Sequence, residues 1–171
     1  MPNSLPEPWL RGTFTDVAAV PRAVLHALEL AQEDLAKWCG GLSEAELHAR
    51  PSGLAPVAFH LRHIGRSLDR LLTYAEGRNL TEEQLTRLQT ELEAPGSPEE
   101  LFAELAAAFT RSGERIRALE VSRFEEARSV GKKALPATLG GLLVHVADHT
   151  QHHVGQAVVT AKIVIAARNR V

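Results

Sequence analysis

The sequence holds one cysteine, one methionine, one tyrosine and two tryptophans among its 171 residues. A lone Cys39 makes no intramolecular disulfide, so the chain lacks the covalent stapling of a small secreted protein. An excess of charge of one sign is missing too, since 19 basic residues face 21 acidic ones for a formal net charge of -2 at pH 7. That balance gives no global pull toward a phosphate backbone or an acidic membrane, and neither nucleic acid nor membrane is expected as a partner. No stretch approaches about 18 uninterrupted apolar residues. From Met1 to Arg11 the chain carries Pro2, Pro6, Glu7 and Pro8 and no apolar run behind a basic start, so no secretion signal is expected. The default expectation is a cytoplasmic protein.

Alternating strands of useful length are also lacking, whereas long stretches with helical spacing lie between clusters of proline and glycine. Hydrophobic residues make up 44% and charged residues 23%, which excludes disordered and low-complexity classes. The expectation is one all-α domain over residues 1–171, a four-helix bundle with longer connections, in which residues 1–15 form an extended arm. The first long helix opens with Pro21 in its first turn and runs to the Gly40-Gly41 stop. Ser43 to Glu46 reads as a capping box for a short helix. The second long helix spans about Leu54 to Tyr74 or Glu76, with Gly77 as its stop. Thr81 to Gln84 offers a weaker box, and Ser97-Pro98-Glu99-Glu100 a strong one opening a third helix that runs to about Leu119. A polar connection containing Gly131 precedes a fourth helix from about Pro136 or Ala137 to Ala167.

What the chain has in excess is histidine. Six of its eight histidines fall in two groups, His60/His63 and His145/His149/His152/His153. Projected down the fourth helix at about 100° per residue, Leu143, Val146, Ala147, Val154, Val158 and Ala161 form an apolar face. Among the histidines of that helix, His153 and then His149 come nearest its edge. Spaced i, i+4, these two imidazoles can converge on one ion. The spacing matches the zinc protease pattern, but Thr150 stands where that pattern needs a general-base glutamate, which argues against a metalloprotease. On the second helix the apolar stripe places His60 at its edge and His63 further round, and pattern alone favours His60 as a third ligand. Three imidazoles leave an open position, as in catalytic rather than structural metal sites. Zinc, nickel and ferrous iron all accept imidazole, and an ion so held acidifies a bound water or deprotonates a bound thiol.

The segments Phe59-His60-Leu61-Arg62-His63-Ile64-Gly65 and His145-Val146-Ala147-Asp148-His149-Thr150-Gln151-His152-His153-Val154-Gly155-Gln156 resemble the DinB-like (DinB/YfiT) superfamily of damage-inducible bacterial proteins. The resemblance spans most of the chain. It implies a four-helix bundle holding a divalent metal, commonly zinc or nickel with iron or manganese as further candidates, through one histidine of the second helix and two of the last. His149 and His153 match the pair on the last helix. The upstream ligand of the family precedes small aliphatic residues, a pattern that His63-Ile64-Gly65 fits better than His60-Leu61-Arg62, so the resemblance selects His63, His149 and His153.

The resemblance further implies a small-molecule substrate and chemistry that is a thiol-dependent transfer, with a low-molecular-weight thiol, or a hydrolysis, in detoxification or stress response. The alternative is a non-catalytic metal-binding or stress-response module that recruits a partner or forms a homodimer. Gln156 is a candidate for orienting a ligand, Asp148 for pairing with a histidine or with Arg66. Arg62, Arg66 and Arg70, recurring every four residues, form either a solvated face or a receptor for an anionic substrate.

Overall fold

The computed structural model describes residues 5–92 and 95–168. Four long helices dominate: α1 (Ala19–Cys39), α3 (Val57–Ala75), α5 (Pro98–Arg117) and α6 (Leu139–Arg168). Two short helices, α2 (Glu44–Leu47) and α4 (Glu82–Gln89), lie in the connections, and a hairpin of β1 (Ala127–Val130) and β2 (Leu135–Thr138) precedes α6. All three capping boxes form, with Ser43, Thr81 and Ser97 each accepting from the amide three residues on while that residue's side chain accepts from the cap amide. The all-α bundle expected from the spacing is therefore the architecture, apart from the small hairpin.

The core runs along the inner faces of the long helices. Leu28 and Leu35 of α1, Leu61, Ile64, Leu68 and Leu72 of α3, Leu105 and Ile116 of α5, and Leu143, Val146 and Val154 of α6 are all buried together. Helix α3 is central, packing on both α5 and α6, while α6 also packs on α1. Contact between α3 and α5 is close at Gly65, where an added Cβ would stand 3.2 Å from the Cβ of Ala108.

Three expectations are corrected. The second long helix starts at Val57 rather than Leu54, because Pro56 excludes the residue before it from helical geometry and itself takes the N-cap position. The fourth starts at Leu139, because Leu135–Thr138 pairs antiparallel with Ala127–Val130 and places Pro136 opposite Ser129. Gly131, with φ +71°, serves the intervening turn. Arg128 fixes this hairpin to the bundle by donating through Nε to the Ala75 carbonyl, 2.6 Å away, at the C-terminal end of α3. Lastly, the described part of the expected extended arm is folded back: Pro8–Leu10 form a 3-10 turn, and Arg11 reaches Glu29 at 3.1 Å and Glu33 at 2.5 Å on α1.

No helix among the described residues is long and apolar enough to cross a membrane. Replacing Gly65 with valine should lower stability to urea by about 1–3 kcal/mol through overpacking against α5; an unchanged unfolding midpoint would show that the two helices have room to separate.

Candidate metal centre

Helix α3 brings His60 and His63 against the turns of α6 that carry His149 and His153. His63, His149 and His153 form one cluster, each offering a ring nitrogen within 4.8 Å of the others. The closest approach is 3.0 Å, between Nε2 of His63 and Nε2 of His149. The rings of His63 and His153 lie 4.3 Å apart by centroid, and those of His149 and His153 4.7 Å. All three side chains are half-buried. The expected trio is thus gathered in space, and the i, i+4 spacing on α6 does what the helical projection requires.

His60, favoured by the pattern alone, lies behind this cluster. It is 3% exposed, and its Nδ1 faces Nδ1 of His153 at 3.2 Å, so one of these two rings donates and the other accepts. In that position it can fix the rotation of His153. Phe59 stacks on His63 with centroids 5.2 Å apart and covers one face of the ring. His145 and His152 remain exposed, as projected; His145 lies 3.6 Å from the exposed Asp148, and His152 bonds Gln156 at 3.0 Å. Arg66 is engaged elsewhere, with Glu104 at 2.9 Å. Thr150 is buried on the core side of α6, which removes it from any part in the cluster.

The residue that sequence reading missed is Glu91, which is 2% exposed although it lies in the connection after α4. One carboxylate oxygen sits 2.6 Å from Nδ1 of His63, and the other pairs with the guanidinium of Arg70. Arg62 holds the same loop by donating to the carbonyls of Glu91 and Pro95, each at 3.0 Å. Arg62 and Arg70 therefore do not form a solvated face: both are buried, Arg62 donating to two carbonyls of this loop and Arg70 pairing with the Glu91 carboxylate. Two arginines on a helix buried nearly all round were the available signal, because each needs an acceptor that no other residue of the pattern supplies.

Electrostatics prepare the imidazoles as ligands. Burial and the neighbouring histidines push His153 down to about 3 and His149 to about 4, and His60 likewise falls to about 4. These rings are neutral at pH 7, with lone pairs available. Burial alone would raise the Glu91 carboxyl, but hydrogen bonds from His63 and the charge of Arg70 outweigh it and hold the group below the ordinary carboxylate range. An ionised Glu91 accepts the Nδ1 proton of His63, which leaves Nε2 to face Nε2 of His149. A histidine backed by a carboxylate is the usual arrangement around a bound metal. The donor set thus fits a divalent ion with imidazole ligands and at least one open position.

Fold and cluster together define a helical bundle with a three-histidine candidate metal centre. Residues 27–157 match the DinB superfamily, and the chain belongs to that family. Among solved structures it is similar to a conserved protein from Enterococcus faecalis, with 23% identity, a TM-score of 0.67, and coverage of 88% of this chain and 99% of that one. It is also similar to YfiT from Bacillus subtilis, described as a probable metal-dependent hydrolase with an unusual four-helix bundle topology. Identity there is 18%, the TM-score 0.61, and coverage 83% of this chain and 86% of that one. These two likenesses establish the fold. No curated protein matches the sequence.

Replacing Glu91 with glutamine removes the charge from a buried pair while keeping its shape. Stability should fall by roughly 3 kcal/mol, since Arg70 is left as an uncompensated buried cation; a loss below about 0.5 kcal/mol, the range of an ordinary surface substitution, would show that the pair anchors nothing.

Proposed function

We propose that this chain is a metal-dependent enzyme in which His63, His149 and His153 hold one divalent ion, zinc or nickel, for hydrolysis or for transfer of a low-molecular-weight thiol to an electrophile. The observation that carries the reading is the convergence of three imidazoles from two helices, with no fourth protein ligand in the group among the described residues. An ion held this way supplies acidification of a bound water or thiol near neutral pH. The description of YfiT as a probable metal-dependent hydrolase supports the same class of chemistry.

The chain's own residues would divide the remaining work. Glu91 accepts the Nδ1 proton of His63 and fixes the ring, while Arg70 keeps the carboxylate ionised. His60 orients His153 from the buried side. Phe59 keeps water from one face of His63. Three protein ligands favour this reading over a purely structural metal module, whose site would be closed by four.

Protein purified without affinity metal should carry one divalent ion per chain by elemental analysis. The alanine variants of His63, His149 and His153 should each lose it, and His60→Ala should retain it. Chelation should abolish hydrolysis of activated esters and thiol conjugation alike. Retention of metal by His63→Ala together with its loss from His60→Ala would overturn the ligand assignment.

A further inference from the structure

Next to the histidines, between the segment leading into α3 and the turns of α6 beyond His153, lies a cavity of about 490 Å³. That size is within the range of small-molecule sites. Leu54 and Ala55 form one wall, Gly155 and Val159 the other. His60 lines this cavity and also touches the cluster, since its Nδ1 meets Nδ1 of His153 at 3.2 Å. His152 and Gln156 stand at the rim, already bonded to each other, and the hydroxyl of Thr160 donates to the Ala55 carbonyl at 3.5 Å. No lysine, arginine, aspartate or glutamate lines the cavity among the described residues. A charged ligand would therefore find no countercharge in its walls.

We propose that this cavity is the substrate pocket of the histidine centre, and that it takes the neutral, mainly apolar body of a small organic molecule whose reacting end lies toward His153. The link to catalysis rests on the function proposed above; binding in the cavity does not. Selectivity follows from the walls, which reward apolar surface and reject carboxylates, phosphates and ammonium groups.

Gly155 provides the test. A Cβ built there meets nothing within 4 Å, so a side chain can be added at this wall without a backbone clash, and the helix gains a better former than glycine. A second cavity, of about 510 Å³, lies between the N-terminal segment and α1; it includes Trp9, Arg22 and Ala23 and shares none of the clustered histidines, which makes Ala23→Trp its control.

The probe is phenylnaphthylamine, whose fluorescence rises in apolar surroundings, titrated into metal-free protein. Gly155→Leu should bind it about tenfold more weakly than wild type, whereas Ala23→Trp should bind it as wild type does. In the Ala23→Trp background the sulfonated analogue, anilinonaphthalene sulfonate, should bind more weakly than the neutral probe. Val159→Trp should repeat the Gly155→Leu result and serves in its place if that variant does not fold. Unchanged binding in a folded Gly155→Leu or Val159→Trp variant, loss on Ala23→Trp alone, or equal binding of the sulfonate would each overturn the proposal. His149→Ala should still bind the probe. Failure of wild type to take up metal would overturn the function proposed above while leaving this result standing.

Discussion

The structure depends on a buried carboxylate held from three sides. Glu91 meets His63 through one oxygen and Arg70 through the other, while Arg62 binds its backbone carbonyl. All three partners project from α3, so a single helix organises the connection between α4 and α5 as well as one histidine of the cluster. Burying a carboxylate and a guanidinium costs several kcal/mol per ion unless geometry and hydrogen bonding compensate. Here every oxygen of Glu91 has a donor, which satisfies that condition and anchors the side chain in the interior. The same contacts dictate which nitrogen of His63 faces the cluster.

Around that anchor the histidines differ by position rather than by chemistry. His153 and His149 sit on one face of α6 one turn apart, His63 faces them from α3, and His60 lies one turn earlier on α3, behind His153. Desolvation and mutual repulsion disfavour the imidazolium form of His60, His149 and His153. A set of close, neutral nitrogen donors lowers the work of assembling ligands around a cation, because no protons need to be displaced from His149 or His153 near pH 7. The two histidines outside the groups have different roles: His26 of α1 contacts the Thr13 hydroxyl at 3.0 Å, and His48, just after α2, the Gly96 carbonyl at 2.9 Å, each joining two connecting or helical segments.

The long helices were legible because the apolar period and the cap residues agree. Ser97-Pro98-Glu99-Glu100 fixes the start of α5 to the residue, and Gly77, with φ +76°, ends α3 as expected. The hairpin was not legible, since strands of 4 residues are too short to carry a period and only β1 alternates in burial, while Pro136 reads more readily as a helix start. Its stability comes from Arg128 and the end of α3, a contact between residues far apart in sequence. At the site, helical projection found His149 and His153 because both share one element. Choosing between His60 and His63 needed the relation of two helices, which periodicity within one helix does not contain. Glu91 was hidden for the same reason: it stands in an acidic, aperiodic stretch, and its role exists only once α3 lies beneath it.

The most direct measurement of the centre is X-ray absorption at the metal edge of protein loaded with one equivalent of zinc. The expected sphere is three imidazoles at Zn–N distances of about 2.0–2.1 Å, completed by a light-atom ligand that is not from the protein. A sphere with fewer than three imidazoles, or one closed by four protein ligands, would contradict it.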